Sequence, residues 1–117
     1  MLEFIFKDGE NLIFKNKCEY KINNNILEFD CEDNNIKIQI NEKDFVFCKT
    51  NKDSIFTIKK TDDDISAMIY IFEKDMEFDI KLYNLDYTHN DGYINIKYIL
   101  ESDEKSLKSL EIRYWHR

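Results

Sequence analysis

The chain has 117 residues, enough for one domain spanning 1–117 with a single core. Hydrophobic residues make up 43% and aromatics 15%, which excludes a disordered chain. Asp and Glu outnumber Lys and Arg by 24 to 17, and no run of the sequence supplies a basic face. The net charge of −7 therefore argues against nucleic acid and anionic membranes as partners.

The first residues carry Glu3 and no apolar run, so neither a signal peptide nor a membrane-spanning stretch is expected. A cytoplasmic protein is. Cys18, Cys31 and Cys48 are odd in number, lack CxxC spacing and outline no disulfide framework.

From Leu2 to Trp115 apolar and polar residues alternate with period two, the mark of antiparallel strands with one dry face and one wet face. The expected strands are 2–7, 11–22, 26–32, 35–41, 44–50, 54–60, 66–74, 77–88, 92–101 and 108–115. The first presents Leu2, Phe4 and Phe6 on one side and ends at Asp8-Gly9, a hairpin signal. A two-residue loop at Asn24-Asn25 sets Ile22 opposite Leu27, Tyr20 opposite Phe29 and Cys18 opposite Cys31, all on one face. The two thiols are then neighbours in the core, reduced in a cytosolic setting. Segments 45–48 and 69–72 are apolar at every position, so their outer surfaces call for a covering element or a partner.

In the strand 77–88, Phe78, Ile80 and Leu82 share one parity. A two-residue loop at Asp91-Gly92 demands the other, pairing His89 with Ile94, Tyr87 with Ile96, Leu85 with Tyr98 and Tyr83 with Leu100. One extra residue reconciles the two, so a β-bulge is expected near Tyr83–Asn84. Ser102 to Leu110 has a capping residue and leucines three apart, which suits a single helical turn in the last connection. A meander of about eight to ten strands hides its edges by closing, which makes the expected fold an all-β antiparallel barrel.

No motif specifies an activity. Of the two histidines, His89 sits beside a turn and His116 near the end, while alternation buries the cysteines, so no nucleophile–base pair emerges. Asp62-Asp63-Asp64 and the group Asp30, Glu32, Asp33 lack the glycine and distal glutamate of a calcium loop and are turn residues. No zinc spacing or phosphate-binding glycine loop is present. No catalytic residue, metal or cofactor is expected. The inward residues are bulky, and Tyr20, Tyr83, Tyr87, Tyr98 and Tyr114 fall among them, where phenol hydroxyls require partners. Two readings follow. One is a non-enzymatic barrel that binds a small, partly apolar molecule at its open end, near Tyr83, Tyr87, His89 and Tyr98. The other is a filled barrel acting as a homodimer or adaptor through the outer faces of 45–48 and 69–72.

The run Gly92 to Leu100 (GYINIKYIL), with the acidic loop after it and Leu110-Glu111-Ile112-Arg113-Tyr114, resembles the ending of the YwiB-like proteins. Tyr20, Leu27, Phe29, the strands at 36–40 and 44–48, and Met68 to Phe72 are spaced similarly. The resemblance implies a calycin-like (lipocalin-like) barrel in a bacterial cytosolic protein, with no established activity and no catalytic residues to carry over. Asp75 stands in a hairpin where that family often has glycine, and the proline common before its next strand is absent.

Overall fold

The computed structural model of the chain describes residues 1–41, 44–103 and 106–114; Trp115 and His116 lie outside the described residues. Among the described residues there are twelve strands, every pairing is antiparallel, and no α-helix occurs. In chain order they are β1 (Leu2–Asp8), β2 (Asn11–Cys18), β3 (Tyr20–Asn23), β4 (Ile26–Cys31), β5 (Asn34–Ile40), β6 (Phe45–Thr50), β7 (Ser54–Lys60), β8 (Ile65–Ile71), β9 (Met76–Ile80), β10 (Leu82–Asn90), β11 (Tyr93–Leu100) and β12 (Leu107–Tyr114). They form two sheets, each belonging to its own compact unit: residues 1–19 with the chain from Leu82 onward, and Tyr20–Lys81.

The five-stranded sheet runs β10-β11-β12-β1-β2. Its central ladder joins the first strand to the last, from Leu2 opposite Tyr114 to Asp8 opposite Lys108. Cross-strand partners share a face, and one face gathers the buried Leu2, Phe4, Ile94, Ile96, Leu110 and Ile112. The Asp91-Gly92 loop forms as expected, with His89 opposite Ile94, Tyr87 opposite Ile96 and Leu85 opposite Tyr98. The bulge is also where parity demanded it, since Leu82 faces Leu100 and Asn84 faces Ile99. Leu82, not Tyr83, is therefore the partner of Leu100. Tyr83 is the inserted residue, and it is 60% exposed rather than inward. A second register shift in β2 sets Phe14 opposite Phe6 and Leu12 opposite Lys7, leaving Leu12 and Ile13 exposed.

The seven-stranded sheet is a meander in chain order from β3 to β9. Asn24 (φ 52°) and Asn25 (φ 68°) both adopt the left-handed conformation that a two-residue hairpin loop requires, and asparagine tolerates it better than most side chains. The register they impose is the expected one, Ile22 opposite Leu27 and Tyr20 opposite Phe29. At the β6–β7 turn, Asn51 Oδ1 accepts the backbone N–H groups of Asp53 and Ser54, both at 2.9 Å. Asp62 to Asp64 occupy a turn closed by the Thr61 N–H on the Asp64 carbonyl at 2.9 Å. At β8–β9, Asp75 takes φ 48°, and its carboxylate accepts the Tyr70 hydroxyl. That bond supports an aspartate in a backbone conformation that glycine adopts more readily.

Two expected strands are each divided. The strand 11–22 divides at Glu19, where the chain leaves one sheet and enters the other. Cys18 pairs with Leu2, and β3 pairs with β4 from Tyr20. Cys18 and Cys31 are both buried thiols. The strand 77–88 divides in the same way at Lys81. The segment 69–72 presents apolar residues on both faces: Ile69 and Ile71 share the parity of buried Ala67, and Tyr70 lies on the opposite face. The helical turn of the last connection is a 3-10 turn at Glu101–Asp103, at the start of the segment that suggested it.

The two glycines separate conformational strain from close approach. A Cβ on Gly9 (φ 64°) would meet nothing nearer than Ser106 Oγ at 3.6 Å, but on Gly92 (φ 79°) it would lie 2.6 Å from the Tyr114 carbonyl oxygen. Gly9→Ala is expected to cost about 1 kcal/mol and Gly92→Ala about 3 kcal/mol, read as shifts in urea-unfolding free energy. Equal costs would contradict the close approach.

Candidate functional site

At one end of the buried face of the five-stranded sheet, the alternation delivers charge instead of hydrocarbon. Asp8 continues the parity of Leu2, Phe4 and Phe6, and Lys108 precedes Leu110, Ile112 and Tyr114 on theirs. The β1–β12 register sets the two opposite each other, and Tyr98 flanks Lys108 on the far side. Leu85, Tyr98, Lys108 and Asp8 thus form one row across four strands.

Lys108 Nζ donates to Asp8 Oδ1 at 2.7 Å, and the Ser106 hydroxyl donates to the same oxygen. The lysine side chain is only 11% exposed, while the aspartate is 37% exposed. The lysine is the buried partner, held charged beside a carboxylate that still reaches water. The hydrogen bond from Lys108, and then that from Ser106, holds the Asp8 carboxyl below the ordinary carboxylate range. Burial pushes the Tyr98 phenol up to about 12, with Lys108 pulling it down and Asp8 pushing it further up. Tyr98 is therefore a neutral hydroxyl at physiological pH. Both protein donors end on Asp8 Oδ1, so its Oδ2 has no hydrogen-bond donor among the described residues. The turn beneath is fixed by the Gly9 N–H on the Leu107 carbonyl at 2.8 Å.

The residues singled out from sequence fall in different places. Tyr98 is buried in the polar row, and Tyr87 (half-buried) and His89 (exposed) follow along the same face of β10. Tyr83 sits in the bulge, off the ladder. Asp8, Ser106 and Lys108 escaped sequence reading, although parity alone marks Asp8 and Lys108 as charged residues at inward positions.

Among the described residues no group of three or more His, Cys, Asp and Glu side chains could hold a metal ion. No helix is long and apolar enough to cross a membrane. No family model, curated protein or solved structure matches the chain, so nothing in those comparisons points to an enzyme activity.

The unequal burial of the pair makes its two halves respond differently. Lys108→Met replaces a buried ammonium with hydrocarbon of similar length and leaves Asp8 in contact with water, so little stability is lost. Asp8→Ala strands the ammonium and is expected to be the more destabilising change. Because the folded-state pKa of Asp8 is lowered, its contribution stands above the unfolded carboxylate range and is lost as pH falls through the folded value. Urea unfolding from pH 7 to pH 3 checks both: Asp8→Asn should flatten the acid limb, and an equal or larger loss for Lys108→Met than for Asp8→Ala would refute the asymmetry.

Proposed function

We propose that this chain is a non-enzymatic binding domain for a small, partly apolar molecule that carries a hydrogen-bond donor. The observation that supports it most is Asp8: a half-exposed carboxylate, fixed through one oxygen by Lys108 and Ser106 and offering the other, at the end of an apolar face. A ligand hydroxyl or amine on Oδ2 would meet an acceptor that is already oriented, and its apolar part would continue along the face that carries Tyr87 and Tyr98. Native mass spectrometry of protein purified from its own cell checks this. A retained small-molecule adduct is expected, lost from Asp8→Ala and weakened in Tyr98→Phe. A bare monomer mass, or a dimer without adduct, would overturn the reading, the dimer in favour of a surface-acting protein.

The architecture proposed to carry this function is a calycin-like barrel, as the likeness to YwiB-like proteins implies. The pairing order supports it. Within each sheet every strand pairs with the next in sequence, β12 returns to β1, and only single residues, Glu19 and Lys81, separate β2 from β3 and β9 from β10. Counted across those single residues the strands number about ten, within the range of small closed barrels. Closure would protect the backbone amides of β2, β3, β9 and β10 against hydrogen exchange to the same degree as those of β5 and β11. Rapid exchange along these four strands would mean open sheet edges.

A further inference from the structure

The seven-stranded sheet holds a second charge at an inward position, and among the described residues this one has no counter-ion. Its central cross-strand row reads Tyr20, Phe29, Ile36, Lys49, Phe56, Ile69, Phe78, one residue from each of β3 to β9. Lys49 is the one cation in a row otherwise of aromatic and aliphatic side chains. It is half-buried between Ile36 and Phe56, and among the described residues it makes no hydrogen bond or ion pair. Burial holds its amine below the ordinary lysine range. A charged group out of water without a partner is unfavourable. The five-stranded sheet meets that demand at Lys108 with Asp8; the described residues of this sheet supply no equivalent.

Exposure along the row is lopsided. On one side of Lys49, Phe29 and Ile36 are closed off, Ile36 at 1%. On the other side Phe56 and Ile69 are half-buried, and Phe78 on β9 reaches 38%. In the adjacent row, Ile71 is half-buried and Met76 exposed, which widens the strip. An accessible apolar strip thus runs from the ammonium across three strand intervals, about 14 Å at the usual strand spacing. Charge at the closed end and hydrocarbon toward the open end define an amphiphile of opposite sign. We infer that the Lys49–Phe56–Ile69–Phe78 row is a binding site for a monocarboxylic acid with an unbranched apolar tail, its carboxylate on Lys49 and its tail along Phe56, Ile69 and Phe78.

The inference goes beyond the site proposed above: it uses no residue of Asp8, Ser106, Tyr98 or Lys108. Isothermal titration of the full chain with decanoate tests it, with decan-1-ol as the uncharged control. Wild-type protein should bind decanoate saturably at one site and bind decan-1-ol at least tenfold more weakly. Lys49→Met should lose at least tenfold in decanoate affinity, and Lys49→Arg should stay within about threefold, since a bidentate cation still meets a carboxylate. Lys49→Met removes an unpaired charge from an apolar row, so its thermal midpoint should match or exceed that of the wild type. That separates lost binding from lost folding. No saturable binding of decanoate, equal affinity for decan-1-ol, or decanoate affinity unchanged in Lys49→Met but lost in Lys108→Met would each overturn the assignment.

Discussion

The five-stranded sheet depends on one ladder, the pairing of β1 with β12. Without it β1–β2 and β10–β12 are two separate fragments, one of them a lone hairpin, which is marginal in water. With it, Leu2, Phe4, Ile112 and Leu110 become the centre of a buried face, and Asp8 is brought to Lys108 across almost the whole length of the chain. The ladder therefore supports the candidate site as directly as it supports the sheet. The seven-stranded sheet needs nothing comparable, because each of its strands pairs with the one before it. Loop-closure entropy falls mainly on one sheet and hardly at all on the other.

Turn chemistry and parity made most of this fold legible from sequence. Asn24-Asn25 and Asp91-Gly92 each fixed a register correctly, because a two-residue loop leaves one way to align its strands. The parity clash between Phe78–Leu82 and Leu85–His89 located a bulge to within one residue. What escaped were the places where a strand changes partners. Nothing in the alternation at Glu19 or Lys81 shows that the ladder ends there, so 11–22 and 77–88 each read as one strand. Parity records which face a residue takes and says nothing about which strand lies beside it.

The candidate site was half legible for a related reason. Tyr98 and Tyr87 stood out as aromatic residues on an inward stripe. Asp8 and Lys108 were on the same stripe, but each lies at the end of a strand, where a charged residue reads as the beginning of a turn. Lys49, near the end of β6, passed unnoticed in the same way. Both sheets thus place a lysine on the apolar side, and the two differ in what answers the charge. Lys108 has a carboxylate on the adjacent strand; Lys49 has Ile36 and Phe56. A charge satisfied internally fixes a register, whereas one left to be satisfied from outside confers a preference in what is bound.

Leu2 lies opposite Tyr114, so the outer ends of the first and last strands are neighbours in the middle of a sheet rather than at its margin. Both strands are paired on each side, β1 with β2 and β12, and β12 with β11 and β1. Every connection between consecutive strands is a hairpin or a single linking residue. A chain with these two ends joined and new ends opened at an exposed turn, such as Asp62–Asp64, keeps every ladder described above. It also turns the longest-range pairing in the molecule into a local hairpin. The order in which the residues are synthesised is, for this fold, separable from the structure they reach.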